Sequence, residues 1–221
     1  MRKMIVIGCP GSGKTTFAEK LRDQTGVPLF YLDAIWHKPD RTHVSREEYD
    51  TRLSEILALD SWIIDGNYSR TVERRISACD TVFLFDLPTE VCLQGAISRL
   101  GKERYDMPWI DIVLDERLKR EIEEFPSKNL PTLYALIEKY HDKNIVIFKS
   151  REQADAFFAS GEALIGCENT DLESISSNGK NYFKNIEKDK KPNSPKLCGQ
   201  HNLGLFGFLS KVNALLEKLI G

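Results

Sequence analysis

Gly8-Cys9-Pro10-Gly11-Ser12-Gly13-Lys14-Thr15 satisfies the pattern G-x-x-x-x-G-K-[ST] at every fixed position. Before it, Lys3 to Ile7 is an apolar, β-branched run; after it, Lys14 to Gln24 carries Phe17, Ala18 and Leu21 at helical spacing. Strand, glycine loop and helix in that order make an anion cradle. The glycines let the backbone curl so that successive N–H groups point inward, and the helix dipole adds a favourable field. A polyphosphate ligand is therefore expected, with Gly8, Pro10, Gly11, Ser12, Gly13, Lys14, Thr15 and Thr16 as its contact set. A side chain at Gly13 is expected to obstruct the cradle. Lys14 is expected to reach the β- and γ-phosphates of ATP, and the Thr15 hydroxyl to ligate Mg²⁺.

The alternation of strand and helix continues. Pro28 to Leu32 reads as a second strand ending at Asp33, and a helix from Ser45 to Leu59 opens on Ser45 as N-cap, with Glu48 closing a capping box. Ser61 to Ile64 is a third strand stopped by Asp65-Gly66, Thr71 to Ala78 a short Arg-rich helix, and Thr81 to Asp86 a fourth strand. Pro88 opens a helix reaching Leu100. After a polar break at 101–108, helices are predicted from Trp109 to Phe125 and from Leu133 to Tyr140, followed by a fifth strand from Asn144 to Phe148 and a helix from Arg151 to Ala159. Short apolar strands joined by helices imply parallel pairing with both faces covered, hence an α/β fold.

At 221 residues the chain accommodates one such domain with an extension, and the domain is assigned to 1–160. From Asn169 to Gly199 the residues Asn, Ser, Lys, Gly and Pro dominate, and Leu205 to Ile220 recovers helical spacing; 161–221 therefore reads as a polar linker and an amphipathic helix. Docking on its own core, self-association and partner binding are the open readings of that helix. The 31 basic and 33 acidic side chains nearly cancel, so direct nucleic-acid binding is not expected. No membrane span is expected, and the short apolar start is too brief for a secretion signal, which predicts a cytoplasmic protein. The five cysteines lack C-x-x-C spacing, so a zinc site is not expected either.

Parallel strands present their C-terminal ends along one edge, where ligands bind. Asp33 and Asp65, at the ends of strands two and three, fall on the edge that carries the glycine loop. Either carboxylate can orient a magnesium water shell or accept a proton from an acceptor hydroxyl; the alternative for each is a turn or N-cap role.

Five segments carry a narrower signature: Ile5 to Thr16, Tyr31-Leu-Asp-Ala-Ile-Trp, Trp62-Ile-Ile-Asp-Gly-Asn-Tyr-Ser, Phe85-Asp-Leu-Pro and Arg104-Tyr-Asp-Met. Over 1–160 they resemble P-loop nucleoside-monophosphate-kinase-like proteins, and within these the adenylate-kinase-related DNA topology modulation proteins. The resemblance implies a three-layer P-loop NTPase fold with a five-stranded parallel sheet of order 2-3-1-4-5. It also implies an acceptor-binding segment after strand two and a short, mobile lid after strand four. Asp65 becomes the magnesium-side aspartate, Asn67, Tyr68 and Arg75 face the acceptor, and Lys149-Ser150-Arg151 falls near the nucleoside. Phosphoryl transfer rests on charge neutralisation and exclusion of water, so Arg99 and Arg104 of the lid are expected to clamp the transferring group. The sequence departs from its relatives at Gly95, where they place an arginine that contacts the nucleotide. Glycine there removes a cation and about 1 kcal/mol of helix propensity.

The expectation is thus an ATP-dependent, Mg²⁺-requiring kinase that moves the γ-phosphate to a small acceptor, a nucleotide being one candidate. Its catalytic set is Lys14, Asp33, Asp65, Arg99 and Arg104, and its metal set Thr15 and Asp65. Adenylate kinases carry an arginine soon after Asp-Gly, whereas here Asn67-Tyr68-Ser69 precedes Arg70, which weighs against AMP. The alternative, suggested by the family name, is a nucleotide-gated regulator of DNA topology or transcription.

Overall fold

The computed structural model of the chain describes residues 1–159; the linker and helix expected over 161–221 lie outside the described residues. Five strands, β1 (Lys3–Gly8), β2 (Leu29–Tyr31), β3 (Trp62–Asp65), β4 (Thr81–Phe85) and β5 (Asn144–Phe148), form one sheet of order β2-β3-β1-β4-β5. All pairings are parallel, with Val6 opposite Asp65, Tyr31 opposite Asp65, and Gly8 opposite Phe85. Met4, Ile5, Val6 and Ile7 are all fully buried, which explains why β1 is apolar throughout: a central parallel strand has no solvent face. From β1 the chain passes to β2 and returns to β3 on one side, then crosses to β4 and β5 on the other, and that reversal about β1 opens a crevice at the C-terminal edge.

The helices are α1 (Lys14–Thr25), α2 (Leu32–Trp36), α3 (Arg46–Leu57), α4 (Ser69–Ala78), α5 (Thr89–Ser98), α6 (Glu116–Lys128), α7 (Leu130–Lys139) and α8 (Arg151–Ala159). Phe17 of α1 anchors the glycine loop to the core. Its ring lies 4.8–5.7 Å from those of Phe83, Phe85, Phe148, Phe157 and Phe158, so the helix that opens at the loop is packed into an aromatic cluster spanning β4, β5 and α8. Among the described residues, no helix is long and apolar enough to cross a membrane.

Three local expectations are corrected. Asp33 does not end a strand in a loop; it sits in the first turn of the short α2. At α3, the Ser45 hydroxyl accepts from the Glu48 N–H at 3.1 Å, but the Glu48 carboxylate turns to Arg52 at 2.7 Å, so only half of the capping box forms. The helix expected from Trp109 begins instead at Glu116. Asp111 accepts from the Trp109 indole N–H at 2.9 Å while its carbonyl accepts from the Gly101 N–H at 2.7 Å, and Asp115 caps the N–H groups of Arg117 and Leu118. These local bonds compete with helix. The apolar residues that suggested it, Ile110, Ile112 and Val113, are 41%, 79% and 72% exposed, so no core face draws them in.

Candidate functional site

The glycine loop leaves β1 at Gly8 and enters α1 through Gly13, which holds a left-handed conformation with φ 103°. At Gly13 the requirement is conformational: a Cβ there would meet nothing closer than Arg151 Nε at 3.8 Å. Space is the requirement at Gly11, where a Cβ would lie 2.1 Å from the Cys92 carbonyl oxygen of α5. The first internal bond of α1 runs from the Phe17 N–H to the Gly13 carbonyl. By helix geometry, the N–H groups of Lys14, Thr15 and Thr16 are then left facing the loop as anion donors. Ser12 is fully buried and its hydroxyl has no hydrogen-bond partner in the fold.

Asp65 ends β3 beside the loop and is 4% exposed. Its Oδ2 accepts from the Thr15 hydroxyl at 2.6 Å, and its Oδ1 is buried with no partner. Burial pushes the carboxyl up to about 6, against the opposing pull of Lys14 and the Thr15 bond. A buried carboxylate with an idle oxygen next to a threonine hydroxyl is an oxygen donor pair that fits a hard cation such as magnesium. No group of three or more His, Cys, Asp or Glu able to hold a metal ion occurs among the described residues.

Asp33 faces the same edge. Its Oδ1 accepts from the Tyr68 hydroxyl at 3.0 Å, and burial together with Asp33 raises the phenol well above its ordinary range. Asn67 and Arg75, expected to face an acceptor, have other roles. Asn67 brackets Gly8, accepting from its N–H at 2.9 Å and donating to its carbonyl at 2.6 Å, and so ties the glycine loop to the end of β3. Arg75 is fully buried and donates to the carbonyls of Gly66, Asn67 and Tyr68. Burial lowers its pKa to about 10. It thereby holds the 66–68 turn, in which Tyr68 adopts a positive φ of 34°.

Arg99 and Arg104 follow α5. Arg99 lines the cleft beside Gly11, Ser12 and Gly13. Burial and the neighbouring Arg104 depress its pKa, while Asp106, Asp33 and Asp111 oppose that. Arg104 forks onto the buried Asp106, its Nε donating to Oδ1 at 2.9 Å, with Asp111 3.9 Å away. Lys14, Asp65, Asp33 and Arg99 are thus gathered within one electrostatic neighbourhood, and Arg104 stands at its border.

Sequence reasoning placed Arg151 near the nucleoside but missed its bonds to the glycine loop. Arg151, at the start of α8, donates to the carbonyls of Gly11 at 2.9 Å, Ser12 at 3.3 Å and Val91 at 3.2 Å. Its guanidinium occupies the notch above Gly95, where a Cβ would lie 2.4 Å from Arg151 and 2.0 Å from the Gly11 carbonyl oxygen. Gly95 therefore does more than omit a cation: it admits one from another helix. The signal was a glycine inside a helix, which marks close backbone approach. Arg151, Arg99, Lys20 and Phe158 border a cleft of about 350 Å³ running from the glycine loop between α5 and α8. Lys149, the other basic residue just after β5, bonds Asp86 and the Tyr134 hydroxyl instead.

No protein-family model matches the sequence. Over 88 residues the chain is 27% identical to an adenylate kinase of Thermotoga neapolitana and 28% identical to those of Thermotoga petrophila and Thermotoga maritima. Each match covers 39% of this chain and 39% of the relative, so the chain spans about two fifths of the length of the curated proteins it matches. Among solved structures, an unliganded sugar kinase from Janibacter sp. HTCC2649 aligns with 75% of this chain and 94% of its own, at a TM-score of 0.45 and 17% identity. None of these matches names the DNA topology modulation proteins.

Proposed function

We propose that the chain is a phosphotransferase that binds MgATP on the glycine loop and moves its γ-phosphate to a small acceptor. The observation that carries this reading is the pairing of Thr15 with a buried Asp65 whose second oxygen is idle, directly beside the loop and Lys14. Lys14 and the loop N–H groups hold the β- and γ-phosphates, and the cleft bordered by Arg151, Arg99 and Phe158 takes the nucleoside. Thr15 and Asp65 would hold magnesium, which would supply charge neutralisation for the phosphates. Arg99 supplies positive charge to the transferring group, with Arg104 held behind it on Asp106. Asp33 faces the acceptor side. The similarity to adenylate kinases supports the nucleotide donor.

The test is to incubate the protein with γ-labelled ATP, Mg²⁺ and a panel of candidate acceptors, with Lys14→Ala as control. Label on an acceptor, lost in the variant, supports the reading. Bound ATP with no transfer to any acceptor contradicts it and favours the nucleotide-gated regulatory alternative.

A further inference from the structure

The acceptor side of the crevice has a charge arrangement that selects its ligand. A phosphorylated acceptor is a dianion and needs forked, unengaged guanidinium groups. Helix α4, which follows Asp65 and the 66–68 turn, carries three arginines, and all of them are committed elsewhere. Arg70 forks onto Asp50 of α3 at 2.7 and 2.9 Å, Arg74 donates to Ser54 of α3 at 2.8 Å, and Arg75 is buried under three backbone carbonyls. On the opposite wall Arg104 is forked onto Asp106.

Carboxylate and aromatic groups are what this side does present. Asp33 sits in the first turn of α2, its Oδ1 accepting from the Tyr68 hydroxyl at 3.0 Å, and it acts electrostatically on Asp65, Tyr68, His37 and Glu121. Glu121 is itself raised, by burial first and by Asp33 among its other neighbours. Lys14 and then Arg117 oppose the charge on Glu121, and Arg117 acts on His37 as well; with Lys14 assigned to the phosphates of the donor, Arg117 is left facing the carboxylates of Asp33 and Glu121. Beside them, Tyr68 stacks on Tyr49 at 5.4 Å, and the Trp36 ring meets Tyr68 edge-on at 6.3 Å and stacks on His43 at 5.0 Å. A carboxylate with hydroxyl-bearing and flat apolar neighbours recognises alcohols; it repels phosphate monoesters.

We infer that the acceptor is an uncharged polyhydroxyl compound, and that Asp33, held in place by the Tyr68 hydroxyl, takes the proton from the hydroxyl that is phosphorylated. This rests on the phosphotransferase reading above. As the acceptor oxygen bonds to the γ-phosphorus, the bond from phosphorus to the β,γ-bridging oxygen breaks and its electron pair leaves with ADP. The hydroxyl proton passes to the Asp33 carboxylate and then to solvent. The products are ADP and a phosphate monoester.

The experiment uses the full chain, MgATP and matched pairs of acceptors: ribose and ribose 5-phosphate, glucose and glucose 6-phosphate, adenosine and AMP. Faster transfer to the unphosphorylated member is expected. Asp33→Asn should cut kcat for that transfer by about 100-fold or more, with the Kd for MgATP within about twofold of the parent. Tyr68→Phe should raise KM for the acceptor more than it lowers kcat, a split that a merely unfolded variant would not show. Preferred transfer to a monoester overturns the inference and leaves the kinase reading standing. Transfer to neither class overturns both, and an Asp33→Asn variant with parental kcat removes Asp33 from the proton's path.

Discussion

Replacing Asp65 by asparagine tests the idea that the magnesium side of the site is held at a cost to the ligand-free fold. Burial raises the Asp65 carboxyl from 3.8 to about 6, so its folded-state pKa lies above its unfolded value. The fold then prefers the protonated form. Stability attributable to this group is present at low pH and is lost as pH rises from the unfolded toward the folded pKa. A shift of roughly two pH units corresponds to about 3 kcal/mol, of which about 2 kcal/mol falls between about pH 4.5 and about pH 7.5. Asparagine does not titrate. Its own burial adds an offset that is the same at every pH, so the informative quantity is the stability of Asp65→Asn minus that of the parent, measured by urea denaturation across that range. This difference should move in the variant's favour by about 2 kcal/mol on going from about pH 4.5 to about pH 7.5. With MgATP present the parent should lose the penalty, because the ionised carboxylate is the form the ion requires. A difference that stays flat with pH refutes the argument that Asp65 is a buried, strained carboxylate awaiting a cation.

Other consequences follow from the contacts around the loop. Gly95→Ala should lower stability by about 1–3 kcal/mol, because its Cβ would press on the Gly11 carbonyl and on Arg151; a rise in Tm from improved helix propensity alone would contradict this. Arg151→Ala removes three hydrogen bonds that hold the loop carbonyls of Gly11 and Ser12 to α5, and should weaken MgATP binding by roughly tenfold in a calorimetric titration. Arg75→Ala strands the carbonyls of Gly66, Asn67 and Tyr68 and empties a buried site, so a loss of about 3 kcal/mol or more is expected in denaturant unfolding.

What the sequence disclosed was what is local. The stretch from Gly8 to Thr15 is a run of fixed spacing, and the strands around it are bounded by glycine, proline and aspartate, so the loop and the strands could be read, while the sheet order followed from the family resemblance. Asp65 and Asp33 could be placed at the binding edge because parallel strands leave no other choice. Asn67 and Arg75 were misassigned because their partners are backbone groups. The amide of Asn67 meets Gly8, which is 59 residues away, and a carbonyl leaves no mark in a sequence. The stretch after Trp109 looked helical because Ile110, Ile112 and Val113 are apolar, yet aspartate side chains bond locally there and the apolar residues face solvent. Arg151 was placed near the nucleoside by resemblance, but its contact with the notch at Gly95 could not be read, because the notch exists only once α5 and α8 are packed.

The central claim is phosphoryl transfer from a nucleotide held by the loop, and ³¹P NMR of the full chain with MgATP and the acceptor pairs tests it most directly. The account predicts a new phosphate monoester resonance that grows in step with ADP and disappears in Lys14→Ala. ADP accompanied by inorganic phosphate alone, or MgATP bound and unchanged with every acceptor, would contradict it.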